Sequence, residues 1–368
     1  MKTLLHVIDS DEPGGAETVF VQLADEFRKR GFRCIVVVSG EGWAFDELKR
    51  RGFEPIAINA KGAFNLELVK GLVRIIRRER VDLIQSHLLG SNVYCALAGL
   101  ITRTPVVATF HGMVDVSPNE RLRRLKFWLM NMGVTRFVAV SAKLRDAIAE
   151  EGLLNVRKTS VLYNGIDLSR YTPAAKGNLR SQLGLPPGSV LVGSLGNMHP
   201  AKGYEFLVRA AKLVVDRRPD VHFVVGGAIK PQLFDELKAE MARLDISRHV
   251  HFVGFVDSAE FLGQLDLFLL PSISEGFSIV TLEAMASRLP CIVTRCGGPQ
   301  EIVTDGEDAR MIDVGNEGAI RDAVLELLED PALRERLSRC ARGTVEKRFS
   351  TDSMIAQYLA LYESLSPV

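Results

Sequence analysis

The chain has 368 residues, of which 47% are hydrophobic and 25% charged, as is typical of a globular protein. It is longer than the roughly 250 to 300 residues at which a single hydrophobic core stops growing, which predicts two domains. The 46 Lys and Arg residues nearly balance the 45 Asp and Glu residues, so the charge of the whole chain does not favour a nucleic-acid partner.

Cysteine usage and hydropathy narrow the class of protein further. The five cysteines form no C-x-x-C pair and lie mostly in apolar segments, which predicts buried free thiols of a reducing compartment and argues against structural zinc. The apolar core that precedes Asp9 is too short for a signal peptide, and no apolar run approaches about 18 residues. The sequence therefore predicts a cytoplasmic protein without a membrane-spanning helix.

In the first half of the chain, short apolar strands alternate with amphipathic helices. Strands are predicted at 4–8, 34–39, 55–58, 83–85, 106–109 and 137–140, and helices at 16–30, 44–51, 66–80, 91–101 and 120–132. This alternation predicts a right-handed parallel sheet with helices on both faces. The first strand is followed by DSDEPGGAE rather than G-x-G-x-x-G, and no G-x-x-x-x-G-K-[ST] occurs, so dinucleotide-binding and P-loop functions lose support.

A strand predicted at 159–162 precedes a segment between Tyr163 and Gly188 that is rich in Gly, Pro and Asn, as a hinge between domains would be. The alternation continues beyond it, with strands predicted at 190–193, 222–226, 250–252, 267–270 and 291–294, helices near 203 and at 232–244 and 278–287, and further helices to residue 365. The sequence therefore predicts an α/β protein with two Rossmann-like domains.

The segment 267–294 predicts a ligand site, because its loop follows the carboxyl end of a parallel strand. Ser278 is a predicted N-cap, so free N–H groups at the helix start would face the loop and offer a phosphate site. Glu275 in the loop and Glu283 in the helix can accept hydrogen bonds from vicinal hydroxyls, which suits a nucleotide sugar. The alternative interpretation is that both glutamates only complement the helix dipole.

Four further residues lie in segments that follow predicted strands. Gly14 and Gly15 would let the backbone approach an anion or a sugar closely, or would form a tight turn without a ligand. His111 follows a strand and precedes Gly112. Lys202 precedes a helix, where a compact cation beside N–H donors suits a diphosphate leaving group. His6 and His87 are interpreted as strand-end residues without a role.

Several of these segments resemble the retaining glycosyltransferases of the GT-B fold, glycosyltransferase family 4. SEGFSIVTLEAM resembles the E-x7-E signature, TFHG around His111 the T-x-H-G form, and Asn164-Gly165-Ile166-Asp167 the turn that ends the first domain. The resemblance covers nearly the whole chain. It implies two Rossmann-like domains that face each other across a cleft, 1–170 on the acceptor side and 171–350 for the nucleotide sugar, with the terminal helix 351–368 packing back on the first.

The resemblance also implies a catalytic set and a donor-binding set. The catalytic set is His111, Lys202 and Glu275, and the donor-binding set is Gly14, Gly15, Asn197, Gly276, Phe277, Ser278, Ile279 and Glu283. In the family, the first glutamate contacts the donor sugar, the second the ribose, and the histidine lies beside the sugar. Asn197 stands where the family has an arginine. An asparagine carries no charge, so either another cation contributes or leaving-group stabilisation is weaker.

The resemblance implies a retaining, metal-independent enzyme that moves a hexose-type sugar from a UDP- or GDP-linked donor to a glycan or lipid-linked acceptor, in cell-surface polysaccharide or glycolipid synthesis. No cofactor besides this donor substrate is expected. Asp9-x-Asp11 looks like a metal-binding D-x-D motif, but it follows the first strand in a phosphate-loop context, and no metal is expected. A nucleotide-sugar epimerase of the same architecture and a catalytically silent sugar-nucleotide-binding subunit remain as alternatives.

The segment Arg121 to Met130 combines four basic residues with large apolar ones. As an amphipathic basic helix it would rest on an anionic membrane at the cytoplasmic face. The alternative is a packed helix with a solvated basic edge.

Overall fold

Parallel strands form two separate sheets in the computed structural model, which describes residues 2–10, 12–59, 65–116, 120–171 and 177–365. The chain divides into a first unit, Met1–Asn164 with Asp352–Val368, and a second unit, Gly165–Thr351. Each unit holds one sheet. The predicted α/β class with two parallel sheets is confirmed.

The first unit contains a seven-stranded parallel sheet in the order β3-β2-β1-β4-β5-β6-β7. Its strands are β1 Thr3–Ile8, β2 Arg33–Val38, β3 Ile56–Ala57, β4 Leu83–His87, β5 Val106–Phe110, β6 Arg136–Ala139 and β7 Thr159–Val161. The order changes direction between β1 and β4, which pair in register from Leu4 with Leu83 to Ile8 with His87. The carboxyl ends of β1 and β4 therefore flank a topological switch point, where open α/β sheets bind ligands.

Helices connect the strands of the first unit. They are α1 Gly15–Lys29, α2 Trp43–Arg50, α3 Leu66–Glu79, α4 Leu89–Thr102, α5 Arg123–Gly133 and α6 Ala142–Glu150. The apolar face of α1 buries Phe20 and Phe27 completely. The side chain of Asn65 caps α3 by accepting the N–H of Leu68 at 3.1 Å. Helix α6 lies in a segment where no helix was predicted.

Helix α5 buries one face and exposes another. Phe127 and Met130 are buried, and the Phe127 ring stacks on Phe110 with centroids 6.4 Å apart. At the last residue of α5, a Cβ on Gly133 would overlap the carbonyl oxygen of Ala96 in α4 and lie 2.9 Å from its Cα. Glycine at position 133 therefore allows the close packing of α5 against α4.

The second unit contains a six-stranded parallel sheet in the order β10-β9-β8-β11-β12-β13. Its strands are β8 Val190–Leu195, β9 Val221–Gly226, β10 Val250–Gly254, β11 Leu267–Leu270, β12 Cys291–Thr294 and β13 Arg310–Ile312. The switch point of this sheet lies between β8 and β11, which pair at Leu267 with Val192. The predicted bounds of β11 and β12 are confirmed, whereas the three-residue β13 was not predicted.

The helices of the second unit include short ones in the loops. They are α7 Leu179–Gln182, α8 Tyr204–Val215, α9 Pro231–Arg243, α10 Ser258–Leu262, α11 Ile279–Ala286, α12 Pro299–Ile302, α13 Glu317–Glu329 and α14 Pro331–Arg348. Residues of α8 and α13 share one hydrophobic cluster with the sheet, in which Leu207, Val208 and Val324 are fully buried.

The last helix, α15 Thr351–Leu365, packs within the first unit from Asp352 onward. Its ring of Tyr362 stacks on Phe27 of α1 with centroids 5.0 Å apart, and its Tyr358 is fully buried. The predicted return of the terminal helix to the first domain is confirmed. The first unit ends before residue 170 because the N–H of Ile166 donates to the carbonyl of Phe349 at 3.0 Å, in the second unit.

Within the described ranges, no helix combines the length and apolar composition needed to cross a membrane. All five cysteines are free thiols. Cys95, Cys291 and Cys296 are buried, as expected, Cys34 is partly exposed and Cys340 is exposed.

We expect Gly133→Ala to lower the free energy of unfolding by about 1 to 3 kcal/mol, because the new methyl group would force α4 and α5 apart. Gly343→Ala in α14 is the matched control, since nothing lies within 4 Å of a Cβ there. That change should stabilise the helix by roughly 0.5 to 1 kcal/mol. Urea unfolding of the two variants measures both values, and a stabilising Gly133→Ala would contradict the packing argument.

Candidate active site

The loops that follow β8 and β11 meet at the switch point of the second unit. The N–H of Ile273, after β11, donates to the carbonyl oxygen of Ala201, after β8, at 2.7 Å. Gly203 has a φ of 63°, and a Cβ there would overlap the carbonyl oxygen of Pro271. A side chain at position 203 would therefore separate the two loops.

Lys202 lies in the β8 loop at the end of a 3-10 turn, Pro200–Lys202. The turn is capped by His199, whose Nδ1 accepts the N–H of Ala201 at 3.1 Å. Helix α8 then begins at Tyr204, whose hydroxyl donates to the carbonyl oxygen of Gly196 at 2.8 Å. The loop is thus held at both ends, which fixes where the Lys202 stem leaves the backbone.

Lys202 and Glu275, both expected in the catalytic set, form an ion pair. The Lys202 Nζ lies 2.8 Å from Oε1 of Glu275, with the lysine side chain 24% and the glutamate side chain 13% exposed. The hydroxyl of Ser272 donates to the same oxygen at 2.7 Å. Among the described residues, Oε2 of Glu275 has no partner, so one carboxylate oxygen is held while the other can accept from a ligand.

Two glycines after β12 brace the loop that carries Glu275. The N–H of Glu275 donates to the carbonyl of Cys296, and the N–H of Gly298 donates to the carbonyl of Glu275, each at 3.0 Å. Gly297 has a φ of 119°, and a Cβ there would lie 2.7 Å from the Glu275 carbonyl oxygen. A Cβ on Gly298 would overlap the carbonyl oxygen of Gly276. Neither of these glycines was predicted to have a role.

The start of α11 follows this loop directly. Ser278 is the N-cap residue, as predicted, but its hydroxyl accepts from the Thr281 hydroxyl at 2.8 Å instead of capping a backbone N–H. The first N–H groups of a helix have no partner inside it, so those of Ile279 and Val280 are directed to the loop, whereas Thr281 already donates to the Ser278 carbonyl at 3.2 Å. The Phe277 ring is buried against Phe349, with centroids 5.6 Å apart.

Glu283 lies inside α11 and is held by two hydroxyls that sequence reasoning missed. Its Oε1 accepts from Tyr171 at 2.6 Å and from Ser258 at 3.3 Å. Burial raises the pKa of Glu283, and the hydrogen bonds from Tyr171 and Ser258 oppose that shift. Within the described part of the chain, Oε2 of Glu283 has no partner. In both Glu283 and Glu275, therefore, one carboxylate oxygen is held by protein donors and the other can accept a hydrogen bond from a ligand.

Asn197 links two loops of the second unit. Its side-chain oxygen accepts the N–H of Ala228 at 3.0 Å, which ties the loop after β8 to the loop after β9. Lys230 follows in that second loop. The pKa of His199 is lowered, first by burial and then by the positive charges of Lys230 and Lys202. Lys230 is therefore a cation close to the Lys202 loop that the sequence did not single out.

In the first unit, Gly14 and Gly15 begin α1. Gly14 is the N-cap residue and its carbonyl accepts the Thr18 hydroxyl at 2.8 Å. A Cβ on Gly14 would overlap the carboxylate of Glu17, whose pKa is raised by burial. The glycine therefore makes room for a buried acid at the helix start.

His111, expected in the catalytic set, contacts His87 and Asp115 in the first unit. Its Nε2 lies 2.9 Å from Nδ1 of His87, and its backbone N–H donates to Asp115 at 2.7 Å. Burial lowers the pKa of His111 to about 3 and raises that of Asp115 to about 7. His111 is therefore neutral at physiological pH. His87 ends β4, as expected, but its ring contacts His111. His6 lies within β1 rather than at its end.

Asp9 lies at the end of β1, where Ser91 donates to it at 3.0 Å and a Cβ on Gly90 would overlap its carboxylate. Burial raises the pKa of Asp9. Asp11, the other acid of the D-x-D sequence, lies outside the described residues. The residues that the structure describes contain no group of three or more His, Cys, Asp or Glu side chains that could hold a metal ion.

Two family models match the chain. The one described as "Glycosyl transferases group 1" matches residues 175–344, and the one described as "Glycosyltransferase Family 4" matches residues 13–170. The two matches together include His111, Lys202, Glu275 and Glu283.

Relatives and solved structures agree with these matches. N-acetyl-alpha-D-glucosaminyl L-malate synthase from Bacillus anthracis is 26% identical over 98% of this chain and 97% of its own. D-inositol 3-phosphate glycosyltransferase from Arthrobacter sp. (strain FB24) is 31% identical over 74% of this chain and 69% of its own. The structure of Anabaena HepE in complex with UDP-glucose superposes with a TM-score of 0.89 and 24% identity, covering 99% of this chain and 100% of that one, which shows the same fold. The chain therefore belongs to glycosyltransferase family 4, the group 1 glycosyl transferases, and is a retaining glycosyltransferase that uses a nucleotide sugar.

Proposed function

We propose that this enzyme transfers a hexose-type sugar from a UDP-linked donor to a glycan or lipid-linked acceptor, in cell-surface polysaccharide or glycolipid synthesis. The observation that carries the proposal is the shared arrangement of Glu275 and Glu283. Each carboxylate has one oxygen held by protein donors and another without a partner among the described residues. The UDP-glucose bound to HepE supports a UDP-linked donor.

Glu283 is proposed to bind the ribose of the donor. A carboxylate accepts hydrogen bonds from vicinal hydroxyls, and its Oε2 remains for them because Tyr171 and Ser258 occupy Oε1. Those two hydroxyls also fix the rotamer of Glu283 before the ligand arrives. A carboxylate positioned in advance loses less conformational entropy on binding.

Lys202 is proposed to hold the diphosphate. An ammonium has three N–H donors, so contact with Glu275 leaves two for phosphate oxygens. The N–H groups at the start of α11 offer further donors to the same anion. Negative charge that grows on the diphosphate as the glycosidic bond breaks would meet donors already in place. Lys230 is proposed to contribute the charge that Asn197 does not.

Glu275 and His111 are proposed to contact hydroxyls of the donor sugar. Oε2 of Glu275 can accept a hydrogen bond from one hydroxyl. Nδ1 of the neutral His111 ring has no partner within the described ranges, so it can contact another. Contacts of this kind position the anomeric carbon and do not require either group to transfer a proton. Their number also limits which epimers of the sugar fit.

The acceptor is proposed to present a hydroxyl rather than an anion. Buried acids of the first unit, Asp9, Glu17 and Asp115, lie around its switch point, and burial raises the pKa of each. The cation that acts on Asp9 is Lys126, which is already paired with Glu120. Acidic side chains whose neighbouring cation is already paired would not attract a carboxylate or a phosphate, so they favour a polyol as acceptor.

Helix α5 is proposed to contact an anionic membrane, which would bring the enzyme to a lipid-linked acceptor. Trp128 is 55% exposed and Met132 47% exposed, although Phe127 on the opposite face is buried. In the described residues, the exposed Arg121 and Arg124 make no ion pair. Large apolar side chains beside unpaired guanidinium groups are the combination that inserts at the surface of an anionic bilayer.

We expect Glu283→Gln to weaken UDP binding about 5- to 30-fold, because an amide retains only part of a charge-assisted hydrogen bond worth roughly 1.5 to 3 kcal/mol. Isothermal titration calorimetry with UDP measures the change. Glu335→Gln, the same substitution at an exposed position of α14, should leave the affinity unchanged. Equal UDP affinity in wild type and Glu283→Gln would contradict the ribose assignment.

We expect Lys202→Ala to lower kcat on the order of 100-fold or more, the effect of deleting one preorganised donor to a developing oxyanion. The donor KM should change less. Release of UDP from UDP-glucose measures both constants, with the acceptor or, for slow hydrolysis, with water. Lys212→Ala in α8 removes a lysine paired with Asp216 and serves as the control. A normal kcat in Lys202→Ala would show that another group holds the leaving group.

We expect the protein to bind vesicles that contain anionic phosphatidylglycerol but not neutral phosphatidylcholine vesicles. A Trp43→Phe variant leaves Trp128 as the single tryptophan, whose emission should shift to the blue on binding. Replacing both Arg121 and Arg124 by Glu should abolish the shift, since each basic residue near the surface contributes roughly 1 kcal/mol. An unchanged spectrum with anionic vesicles would exclude this surface as the membrane contact.

A further inference from the structure

A continuous line of polar contacts joins helix α15 to His111 in the first unit. The Tyr362 hydroxyl lies 2.8 Å from Oε1 of Gln85 in β4. The Gln85 Nε2 lies 2.9 Å from the Thr109 hydroxyl and 3.4 Å from Nε2 of His87, and it also reaches the Ser86 carbonyl at 3.3 Å. Nδ1 of His87 is in turn 2.9 Å from Nε2 of His111.

The groups in this line are buried and held in place by rings. Gln85 and His87 are fully buried. Phe20 packs edge-on against His87 with centroids 5.6 Å apart, and the His87 and His111 rings lie 23° from parallel with centroids 5.2 Å apart, as the hydrogen bond between their edges requires. Burial lowers the pKa of both histidines. Each ring is therefore neutral, with one nitrogen that donates and one that accepts.

The direction of each hydrogen bond follows from Tyr362. An amide oxygen can only accept, so the Tyr362 hydroxyl donates to Gln85 and the amide NH2 group faces Thr109 and His87. The amide nitrogen donates and cannot accept, so a proton on Nε2 of His87 would face no acceptor there, and the proton of the neutral ring lies on Nδ1. That proton is donated to Nε2 of His111, so the proton of His111 lies on its own Nδ1.

We infer that Tyr362 and Gln85 are positioning residues that fix His111 as the Nδ1–H tautomer, so that its free edge donates a hydrogen bond to an acceptor oxygen of the ligand. Within the proposed function, on which this assignment of the ligand rests, that oxygen belongs to a hydroxyl of the donor sugar. His111 then acts as a donor of fixed direction and not as a base. A residue far away in the sequence, on the last helix, thereby determines the chemistry that His111 offers.

The test is the tautomer of His111, read by long-range 1H–15N correlation spectra of the full-length protein labelled with 15N-histidine. Signals are assigned by their loss in His87→Gln and His111→Gln. We expect Nδ1–H for both rings in the wild type. Tyr362→Phe releases the Gln85 amide, which can then turn its oxygen to His87, so the Nε2–H tautomer of His111 should appear. Tyr358→Phe is the matched control, because its hydroxyl reaches Thr109 at 3.5 Å but not Gln85.

A wild-type His111 protonated on Nε2 would overturn the inference without any variant, and so would a Tyr362→Phe spectrum identical to that of the wild type. In the activity assay, Tyr362→Phe should lower kcat/KM for UDP-glucose about 5- to 10-fold, the effect of weakening one hydrogen bond, with Tyr358→Phe near wild type. If the wild type does not turn over UDP-sugars, the proposed function fails, but the spectra still decide whether the tautomer is fixed.

Discussion

The adjacency of β8 and β11 is the constraint on which the candidate site of the second unit depends. Parallel strands end at the same edge of a sheet, and a switch in strand order leaves a gap between the loops that follow them. Lys202 and Glu275 come from these two loops and meet at 2.8 Å although they are distant in sequence. A partly exposed ion pair of this kind contributes little to folding. Its effect is to hold two side chains of opposite charge side by side, as the proposed contacts to a diphosphate and a sugar hydroxyl require.

Asn197 illustrates how a departure from a family pattern can have a local structural cause. An arginine would have been a second cation at this position, yet the side-chain oxygen of Asn197 accepts the Ala228 N–H and so joins the loops after β8 and β9. A guanidinium has no acceptor and could not make this contact. The loop tied in this way is the one that carries Lys230, the cation proposed to contribute the charge that Asn197 lacks.

Much of the fold was predictable because buried parallel strands are continuous apolar runs, and β11 and β12 were bounded correctly from them. The three residues of β13 are too few to show periodicity. Helices α6 and α10 lie in segments where no helical spacing of apolar residues was recognised. Lys202, Glu275 and Glu283 were predicted as site residues from motifs. Tyr171, Ser258 and His87 were missed because their contacts join segments far apart in sequence. The pair Gly297-Gly298 could have been predicted to shape a ligand loop, because the pair Gly14-Gly15, which also follows a strand, was interpreted in that way.

The contact between Tyr362 and Gln85 has a consequence for the order in which the chain folds during synthesis. Gln85 emerges from the ribosome early, whereas Tyr362 follows the whole second unit. Until α15 docks, the amide oxygen of Gln85 lacks its protein donor, and the surface that α15 will cover stays open to water. The nascent first unit is therefore incomplete while the second unit is translated. The contact of β4 with α15 forms only after synthesis has passed residue 362.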